Sequence, residues 1–503
     1  MLSVVKSMCL YGLEGQLIDV EVDVSSGIPA WDIVGLPDTS IKEAKERVRT
    51  AIKNCGIELK SRKYIINLSP SNLHKNGPIF DLPIAVGILS SIQVIRPLNF
   101  KEILFIGELS LDGRLKSVNG VLSICLSAKK YGISKIILPQ ENSKEAGVVD
   151  NIDIIGVRCL KEVIEYLNGN MNILKEEKQN FIEETTKENL DFSEVKGQEF
   201  VKRGLEIAAA GAHNVCLIGS PGSGKTMLAE RMPSIMPNLT FEEALEITQI
   251  YSLIGKNKNE GLIKKRPFRR PHHSITEKAL IGGGRIPKPG EISLAHLGIL
   301  YLDEFLEFNK ALIDILRIPM EDKKVQISRN GITCIFPCNF MTIASMNPCQ
   351  CGYFGSNKKE CTCTPLQRKQ YISKLSGPIK DRFDIKISVF PVEISKVKKE
   401  KNETSETIKN RVNKARKIQL KRYKNDNIFS NSDLTPKLIE KYCKIDKEAE
   451  MLIKNSFEKF DLSMRGYYKI LKLARTIADL SGENNIEKIH IIEAIQYRGD
   501  INF

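Results

Sequence analysis

The residues with the most specific chemistry form a glycine-rich run after a short apolar stretch. Val215 to Ile218 predict a buried strand, and the run that follows has the pattern G-x-x-x-x-G-K-[ST]. In such a run the backbone N–H groups close around a phosphate, the lysine contacts the β- and γ-phosphates, and the hydroxyl coordinates Mg²⁺. The segment predicts a site for ATP and Mg²⁺ at these residues: Gly219, Ser220, Pro221, Gly222, Ser223, Gly224, Lys225, Thr226 and Met227.

Two adjacent acids follow a second apolar run, Ile299 to Leu302. The run predicts a buried parallel strand, and at its end Asp303 is suited to the Mg²⁺ shell and Glu304 to polarising an attacking water. A glycine-rich turn that binds no nucleotide is the alternative for the first motif, and these acids argue against it. Together the two motifs predict hydrolysis of ATP rather than binding alone.

Asn347 ends a third apolar run, "FMTIASMN". An amide at the end of such a strand is suited to contacting the γ-phosphate or orienting water. Taken alone, it is equally compatible with an ordinary strand-end asparagine. Beside the two motifs it predicts a third catalytic group, together with Lys225 and Glu304.

Four of the twelve cysteines cluster in "CQCGYFGSNKKECTC" as two C-x-C pairs separated by nine residues. Four thiolates in a short polar loop suit tetrahedral Zn²⁺, which substitutes metal bonds for an absent core. The spacing departs from the commoner C-x2-C pairs, so unliganded thiols and a redox or iron–sulfur role remain alternatives. The predicted ligands are Cys349, Cys351, Cys361 and Cys363.

Periodicity divides the chain into four parts. Residues 1–167 alternate short strands with helices as one α+β domain, and the polar, charged residues 168–194 indicate a linker. Residues 195–391 follow the strand, turn and helix order of an α/β core with a parallel sheet. Residues 392–503 have an almost entirely helical pattern, which predicts an α-helical lid.

Composition limits the possible partners and location. The 503 residues carry a formal charge of +14, which makes a polyanion such as nucleic acid a candidate partner; a lysine-rich proteome would explain the same surplus. No apolar run reaches the length of a membrane span, and no secretory leader is evident. We therefore expect a cytoplasmic protein that does not enter a membrane.

The order of these motifs, followed by "GPIKDRFDI" and "LSMRGYYKILKLARTIADL", resembles an AAA+ ATPase of the magnesium-chelatase-like group. The resemblance is most specific to the YifB/ComM family and covers essentially the whole chain. It implies a ring, normally a homo-hexamer, in which Arg382 resembles the arginine finger that reaches a neighbouring subunit. Arg465 resembles the sensor 2 arginine of the lid, and residues 195–198 resemble a strip near the adenine. A local ion pair with neighbouring aspartates is the alternative for Arg382.

The stretch "FIGELSLDGRLKSVNGVL" resembles part of a Lon-type protease domain, of the ribosomal S5 domain 2 type. In that resemblance Ile79 occupies the position of the nucleophilic serine and Leu122 that of the lysine. An alkyl side chain can neither attack a carbonyl nor take a proton, and Lys116 lies six residues too early. We expect an inactive domain that serves as a scaffold.

Several basic segments are candidate contacts for a polyanion. "KKVQISRNGITCIFP" predicts a β-hairpin around Asn330-Gly331, whose Lys323, Lys324 and Arg329 would contact phosphates; a solvated hairpin is the alternative. Residues 395–424 are strongly basic but equally compatible with a solvated helix face. His272 and His273, in a glycine-rich loop, are expected in loop or interface contacts rather than in a metal site.

These features predict a ring-shaped ATP-driven motor that acts on DNA. The resemblance implies a helicase or branch-migration factor in DNA uptake or recombination, with proteins of those processes as possible partners. Two alternatives remain open at this point. One is a magnesium-chelatase motor subunit, against which the Lon-like domain and the C-x-C pairs argue; the other is a nucleotide-switched chaperone or scaffold.

Overall fold

The computed structural model describes residues 2–96, 98–177, 181, 190–257, 261–329, 332–355, 359–391, 402–426, 428–459 and 463–498. These residues form a seven-stranded sheet, a five-stranded parallel sheet and a C-terminal group of helices. Much of the predicted linker 168–194 and the first residues of the basic tract 395–424 lie outside this description.

The N-terminal region is built on the seven-stranded sheet, with the strand order β3-β4-β2-β1-β5-β8-β9. Its strands and helices are β1 (Leu2–Tyr11), β2 (Glu14–Ser25), β3 (Ala30–Val34), α1 (Thr39–Asn54), β4 (Lys63–Ser69), α2 (Asp81–Ser91), β5 (Ile103–Phe105), β6 (Glu108–Leu109), β7 (Leu115–Lys116), α3 (Val121–Lys130), β8 (Lys135–Pro139), α4 (Ser143–Ala146), β9 (Asp153–Val157) and α5 (Leu160–Leu167).

Local sequence accounts for these elements. In β2 the residues Ile18, Val20, Val22 and Val24 are buried in strict alternation, the period of a strand with one face on the core. Helix α1 begins where the Asp38 carboxylate accepts a hydrogen bond from the backbone N–H of residue 41, and it buries one apolar stripe. The expected α+β organisation of this region is therefore present.

The central region contains the five-stranded parallel sheet, with the order β11-β14-β17-β10-β18. Its elements are α6 (Glu199–Gly211), β10 (Val215–Ile218), α7 (Lys225–Ile235), α8 (Phe241–Leu253), β11 (Phe268–Arg269), α9 (Glu277–Ile281), β12 (Gly282–Gly283), β13 (Lys288–Pro289), α10 (Glu291–Leu294), β14 (Ile299–Leu302), α11 (Lys310–Ile315), α12 (Arg317–Asp322), β15 (Lys324–Arg329), β16 (Ile332–Pro337), β17 (Met341–Met346), α13 (Pro365–Ser373), α14 (Gly377–Lys380) and β18 (Ile385–Ser388).

Every residue of β10, β14 and β17 is buried, as expected for strands covered on both faces. The register pairs Ile218 with Met346 and Leu302 with Ala344. Because the strands are parallel, the segments that follow their carboxyl ends meet at one edge of the sheet. This edge carries the glycine-rich run, the two acids and Asn347.

The predicted hairpin is present as the antiparallel pair β15–β16, with Arg329 opposite Ile332. Its turn, Asn330-Gly331, lies outside the described residues. Lys324 and Arg329 are exposed, whereas Lys323 lies at the base of the hairpin and forms an ion pair with Asp433 of the C-terminal helices. The expectation that Lys323 contacts phosphates therefore differs from the structure, because its charge is already paired there.

The C-terminal residues form the predicted helical lid, whose helices are α15 (Ser405–Arg422), α16 (Pro436–Tyr442), α17 (Lys447–Lys459), α18 (Met464–Ser481) and α19 (Lys488–Gln496). A buried polar chain joins the lid to the central region. His213, fully buried, lies with Nε2 2.7 Å from Thr476 Oγ1, and Asn431 Nδ2 donates to the same hydroxyl at 3.0 Å. None of the described helices is both long and apolar enough to cross a membrane.

Asp479 is the anionic centre of the lid, and its replacement is expected to destabilise the fold. Its carboxylate is fully buried and accepts hydrogen bonds from Arg422 at 2.5 Å and from Arg475 at 3.1 Å. Asp479→Asn leaves both guanidinium groups without their counter-charge, so the free energy of unfolding should fall by about 3–5 kcal/mol. Urea unfolding followed by circular dichroism measures the change.

The matched control is Lys454→Ala, which removes an exposed ion pair with Glu450. This variant should unfold at the same urea concentration as the parent chain, since exposed pairs contribute little. Equal effects of the two substitutions would contradict the assignment of Asp479 as the centre of the lid.

Candidate functional site

The glycine-rich run forms a loop between β10 and α7, and it requires glycine at defined positions. Gly222 and Gly224 have φ angles of 73° and 92°, which side chains rarely tolerate. A Cβ on Gly219 would stand 2.3 Å from the backbone oxygen of Val389, so the loop packs directly against the end of β18. The loop therefore leads into the first turn of α7, whose backbone N–H groups are the ones that the sequence predicts to bind a phosphate.

Lys225 folds back onto this loop. Its Nζ lies 2.6 Å from the carbonyl oxygen of Gly219, 3.0 Å from that of Ser220 and 3.3 Å from Asn347 Oδ1. Burial lowers the pKa of Lys225 to about 8 because it disfavours the charged form. The three hydrogen-bond acceptors of the ammonium group are neutral oxygen atoms. The oxygen atoms of a bound phosphate would give it negatively charged partners, with Asn347 beside them.

Asp303 lies next to Thr226, as a shared Mg²⁺ shell requires. Thr226 Oγ1 is 3.4 Å from Asp303 Oδ2, and Ser345 Oγ donates to Asp303 Oδ1 at 2.5 Å. Burial raises the pKa of Asp303, but hydrogen bonds from Ser345 and Tyr301 and the charge of Arg270 outweigh it and hold that pKa below its ordinary value. The carboxylate is thus ionised and fixed in orientation. These oxygens fit the hard, oxygen-coordinated Mg²⁺ ion.

Glu304 is exposed beside this carboxylate. Its backbone has a left-handed conformation, with φ 51°, and its N–H donates to Asp303 Oδ1 at 3.1 Å and to Ser345 Oγ at 3.3 Å. The Glu304 side chain is therefore turned away from the strand into solvent, where it can meet a water molecule. Ser345 was not anticipated from the sequence, because it lies within an apolar strand and only the pairing of β14 with β17 brings it here.

Arg270 is a second unanticipated member of the site. Its guanidinium group lies 2.5 Å from Asp303 Oδ2 and 2.7 Å from Glu230 Oε1, with its centre 5.4 Å from the ring of Tyr301. The Arg270 cation therefore contacts Asp303 Oδ2, the same carboxylate oxygen that lies next to Thr226 Oγ1. The signal in the sequence was its position directly after the short strand β11, which ends at the same edge of the sheet.

The strip predicted to lie near the adenine contacts the loop through Gln198. The Nε2 atom of Gln198 donates to the carbonyl oxygen of Ser223 at 2.8 Å and to that of Phe390 at 3.2 Å. This strip, residues 195–198, therefore lies against the phosphate-binding loop.

Arg382 and Arg465 lie away from this site, at the opposite edge of the sheet. The Asn214 side chain, at the start of β10, donates to the carbonyl oxygen of Arg382 at 3.2 Å. Arg382, only 8% exposed, and Arg465 both form ion pairs with Glu321, a partner that no local sequence signal indicates. The two arginines line a cavity of about 330 Å³ between the central region and the lid. They are together, but not beside Lys225.

The four cysteines come together as one cluster, and among the described residues no other set of three or more His, Cys, Asp or Glu side chains has the spacing for a metal ion. Their sulfur atoms lie within 4.8 Å of one another, with Cys349 Sγ 3.3 Å from Cys351 Sγ and 3.7 Å from Cys361 Sγ. Four thiolates at 2.3 Å from a tetrahedral Zn²⁺ would stand about 3.8 Å apart, so the cluster fits this ion.

The histidine pair lies in loop contacts, and Ile79 and Leu122 lie in an apolar environment, as the sequence analysis expected. The rings of His272 and His273 are 4.1 Å apart and make loop contacts, with His272 Nδ1 2.8 Å from Ser274 Oγ. In the N-terminal region Ile79 packs against the hydrophobic cluster that contains the fully buried Leu122. Alkyl side chains meet at the place where the protease resemblance would require a serine and a lysine.

The order of the five strands places β10, which leads into the glycine-rich loop, between β18 and β17, the strand that Asn347 follows. With the two acids on the next strand but one and a helical lid packed against the core, this is the arrangement of the AAA+ class of P-loop ATPases. The class follows from the sheet order together with the chemistry of its carboxyl edge.

Comparison with known proteins agrees with this class. The magnesium chelatase subunit ChlI family matches residues 191–397, its "Subunit ChlI of Mg-chelatase" model matches residues 20–142, and its C-terminal model matches residues 402–498. Lon protease 2 of Bacillus subtilis is 30% identical over 181 residues, which is 32% of each chain.

Two relatives match over nearly their full length. The competence protein ComM of Haemophilus influenzae is 39% identical over 505 residues, and YifB of Escherichia coli is 40% identical over 499 residues. Each match covers 99% of this chain and 97% of the relative. The chain therefore belongs to the ComM/YifB family of magnesium-chelatase-like AAA+ ATPases.

Arg270 contacts the Asp303 oxygen that the sequence assigns to Mg²⁺, so we expect Arg270→Ala to lower the Mg²⁺ concentration for half-maximal ATP turnover. The pair is partly exposed, and such pairs contribute up to about 1 kcal/mol, which corresponds to a shift of up to roughly five-fold. A Mg²⁺ titration at saturating ATP measures it. An increased Mg²⁺ requirement would contradict competition and would indicate that Arg270 supports the cation instead.

Proposed function

We propose that the chain is an ATP-driven motor that acts on DNA as a ring of identical subunits, in helicase or branch-migration reactions of DNA uptake or recombination. The observation that carries the proposal is the division of its polar and charged groups between two edges of one sheet. Lys225, Asp303, Glu304 and Asn347 lie at the carboxyl edge, whereas Arg382 and Arg465 lie at the other.

The distance between the two edges is too long for Arg382 to reach the nucleotide site of its own subunit. Arg382 is level with Asn214, and Gly219 is five residues further along the same strand direction, or about 16 Å at the rise of a β-strand. An arginine side chain is much shorter than this. This geometry supports the proposal that Arg382 acts on the nucleotide of a neighbouring copy, with Arg465 of the lid beside it on Glu321, so that a complete site would form where two copies meet.

Charge and relatedness support DNA as the substrate. The chain carries a net charge of +14, and Lys324 and Arg329 are exposed cations at the two ends of the hairpin strand β15. In α15 the arginines pair inward, as Arg411 does with Glu206, while Lys414, Lys417 and Lys421 are exposed. Such lysines favour sequence-independent contacts to phosphates. A relative named as a competence protein is consistent with work on incoming DNA.

A magnesium-chelatase motor subunit is the second candidate. The three matching family models all carry the name of that enzyme's subunit, including the one that covers residues 20–142 of the Lon-like region. That match weakens the argument that this region excludes a chelatase. The substrate therefore has to be decided by assay rather than by domain content.

The four-cysteine cluster holds structural Zn²⁺ in this function. Cys349 is fully buried and the other three cysteines are half-buried, so the metal would close a small loop that has little hydrophobic core of its own. The bound metal supplies no step of ATP hydrolysis, because the sulfur ligands leave no open coordination position.

Forked or four-way DNA is expected to raise ATP turnover and to be separated in an ATP-dependent reaction. Lys225→Ala should abolish turnover because the phosphates lose their cation. Glu304→Gln should lower it by about 10²-fold or more with nucleotide binding retained. Phosphate release with and without DNA, together with strand separation, measures these effects. ATP turnover that no DNA changes, with no strand separation, would remove the motor proposal.

Two inactive variants are expected to complement each other if the site is shared. Arg382→Ala keeps an intact phosphate-binding loop, and Lys225→Ala keeps an intact finger. In a randomly mixed ring about one interface in four would combine the intact halves, so turnover should recover to about a quarter of the parent value. Steady-state turnover of the mixture measures this recovery. Full activity of Arg382→Ala alone would exclude a role in trans.

A further inference from the structure

The cysteine loop, residues 349–363, starts from the same strand end as Asn347. Strand β17 ends at Met346, Asn347 follows, and Cys349 is the second residue after it. Any displacement of Cys349 would therefore move the backbone that holds Asn347 beside Lys225. The first ligand of the metal cluster is thus covalently close to a predicted catalytic group.

The cysteine loop also touches the phosphate-binding loop directly. Gly352 has a φ of 84° and packs so closely that a Cβ on it would stand 2.7 Å from Cδ and 2.9 Å from Cγ of Pro221. The same added atom would lie 3.9 Å from Cγ of Asn347. Gly352 therefore fills the space between Pro221 and Asn347, and no larger residue fits there without displacement.

The far end of the cysteine loop leads to the segment after the two acids. Helix α13 is capped by Thr364, the residue after Cys363, and Lys374 just beyond its end donates from Nζ to the carbonyl oxygen of Leu306 at 3.3 Å. One unit of chain thus contacts the sheet edge at three points: Asn347, Pro221 and the turn that follows Glu304.

Side-chain contacts, such as the Arg368 guanidinium group 4.0 Å from the centre of the Phe354 ring, rather than regular secondary structure hold the described part of this loop. Within the described part of residues 349–363 there is no helix or strand, and the backbone hydrogen bond from Gly352 N–H to the carbonyl oxygen of Cys349, at 2.9 Å, closes only one turn. The N–H of Phe354 points at Cys349 Sγ from 3.4 Å, as occurs around metal-bound thiolates. A tetrahedral ion would tie the two C-x-C pairs together and fix the turn at Gly352.

We propose that a tetrathiolate metal ion, Zn²⁺ by ligand chemistry, is a positioning element of the nucleotide site: it holds Gly352 against Pro221 and Asn347 beside Lys225. The proposal rests on the assignment of the P-loop as the ATP site, and it does not depend on DNA as substrate. The metal takes no part in bond making. Its loss leaves the protein folded, but lets Asn347 and the phosphate-binding loop move out of register.

The test uses the full-length chain and compares three variants. The double substitution Cys361→Ser and Cys363→Ser removes two ligands, Gly352→Ala disturbs the contact to Pro221 while leaving all ligands in place, and Cys159→Ser is the control in the N-terminal region. Zinc per chain, binding of a fluorescent ATP analogue and basal ATP turnover are measured for each, with thermal unfolding as the check on folding.

The parent chain and Cys159→Ser should contain about one Zn²⁺ per chain and turn over ATP equally. The double variant should lose zinc, and Gly352→Ala should retain it. Turnover should fall by about 10- to 100-fold in both, because a displacement of about 1 Å at a reacting group has effects of this size. Binding of the analogue should weaken in parallel, which reports on the site even when turnover is too slow to follow.

Three results would overturn the proposal. These are a parent chain without bound metal whose four thiols react freely, a zinc-free double variant with parent turnover and analogue binding, and a Gly352→Ala chain that keeps both zinc and full turnover. If the double variant fails to fold, removal of zinc from the folded parent chain with a chelator, followed by the same turnover and analogue-binding measurements, replaces it. Failure of the motor proposal would give a different result. ATP turnover would then not respond to DNA, while basal turnover and its dependence on zinc would be unchanged.

Discussion

The parallel pairing of β10, β14 and β17 determines where the polar groups of the nucleotide site lie. Their register brings Ile218, Leu302 and Met346 to one edge of the sheet, so that the loop, the acids and the amide that follow these strands converge. The strands themselves are wholly buried, and of their side chains Ser345 and Tyr301 reach Asp303. Their contribution is to hold groups from distant parts of the chain within hydrogen-bond distance, as Lys225 and Asn347 are.

The same sheet keeps Arg382 and Arg465 apart from the nucleotide site, because they lie at its opposite edge. Arg382 precedes β18 and therefore lies at the amino edge, where Glu321 holds it together with Arg465 of the lid. Burial of Arg382 within its own subunit leaves it next to a cavity rather than next to a phosphate. A buried polar chain through His213 joins the lid to this edge.

The N-terminal region and the cysteine loop contact the central region through packing, and in the described residues neither contributes a catalytic group. The N-terminal region has alkyl groups where a protease would have its reactive pair, and its β1–β2 turn packs at Gly12 against Cys334 of the hairpin. The N-terminal region thereby contacts the middle of the β15–β16 hairpin. The cysteine loop differs from the N-terminal region because it contacts the phosphate-binding loop itself, through Gly352.

Sequence alone determined the elements whose chemistry is local. The glycine-rich run, the acids after an apolar strand, Asn347 and the four cysteines were all identified because their spacing along the chain is itself the signal. Tertiary structure alone decided the long-range partners: Arg270 and Ser345 on Asp303, Glu321 between two arginines, Lys323 paired with Asp433, and Gly352 against Pro221. The physical reason is that ion pairs and close backbone contacts depend on which strand ends and helices become neighbours, and no spacing along the chain records that.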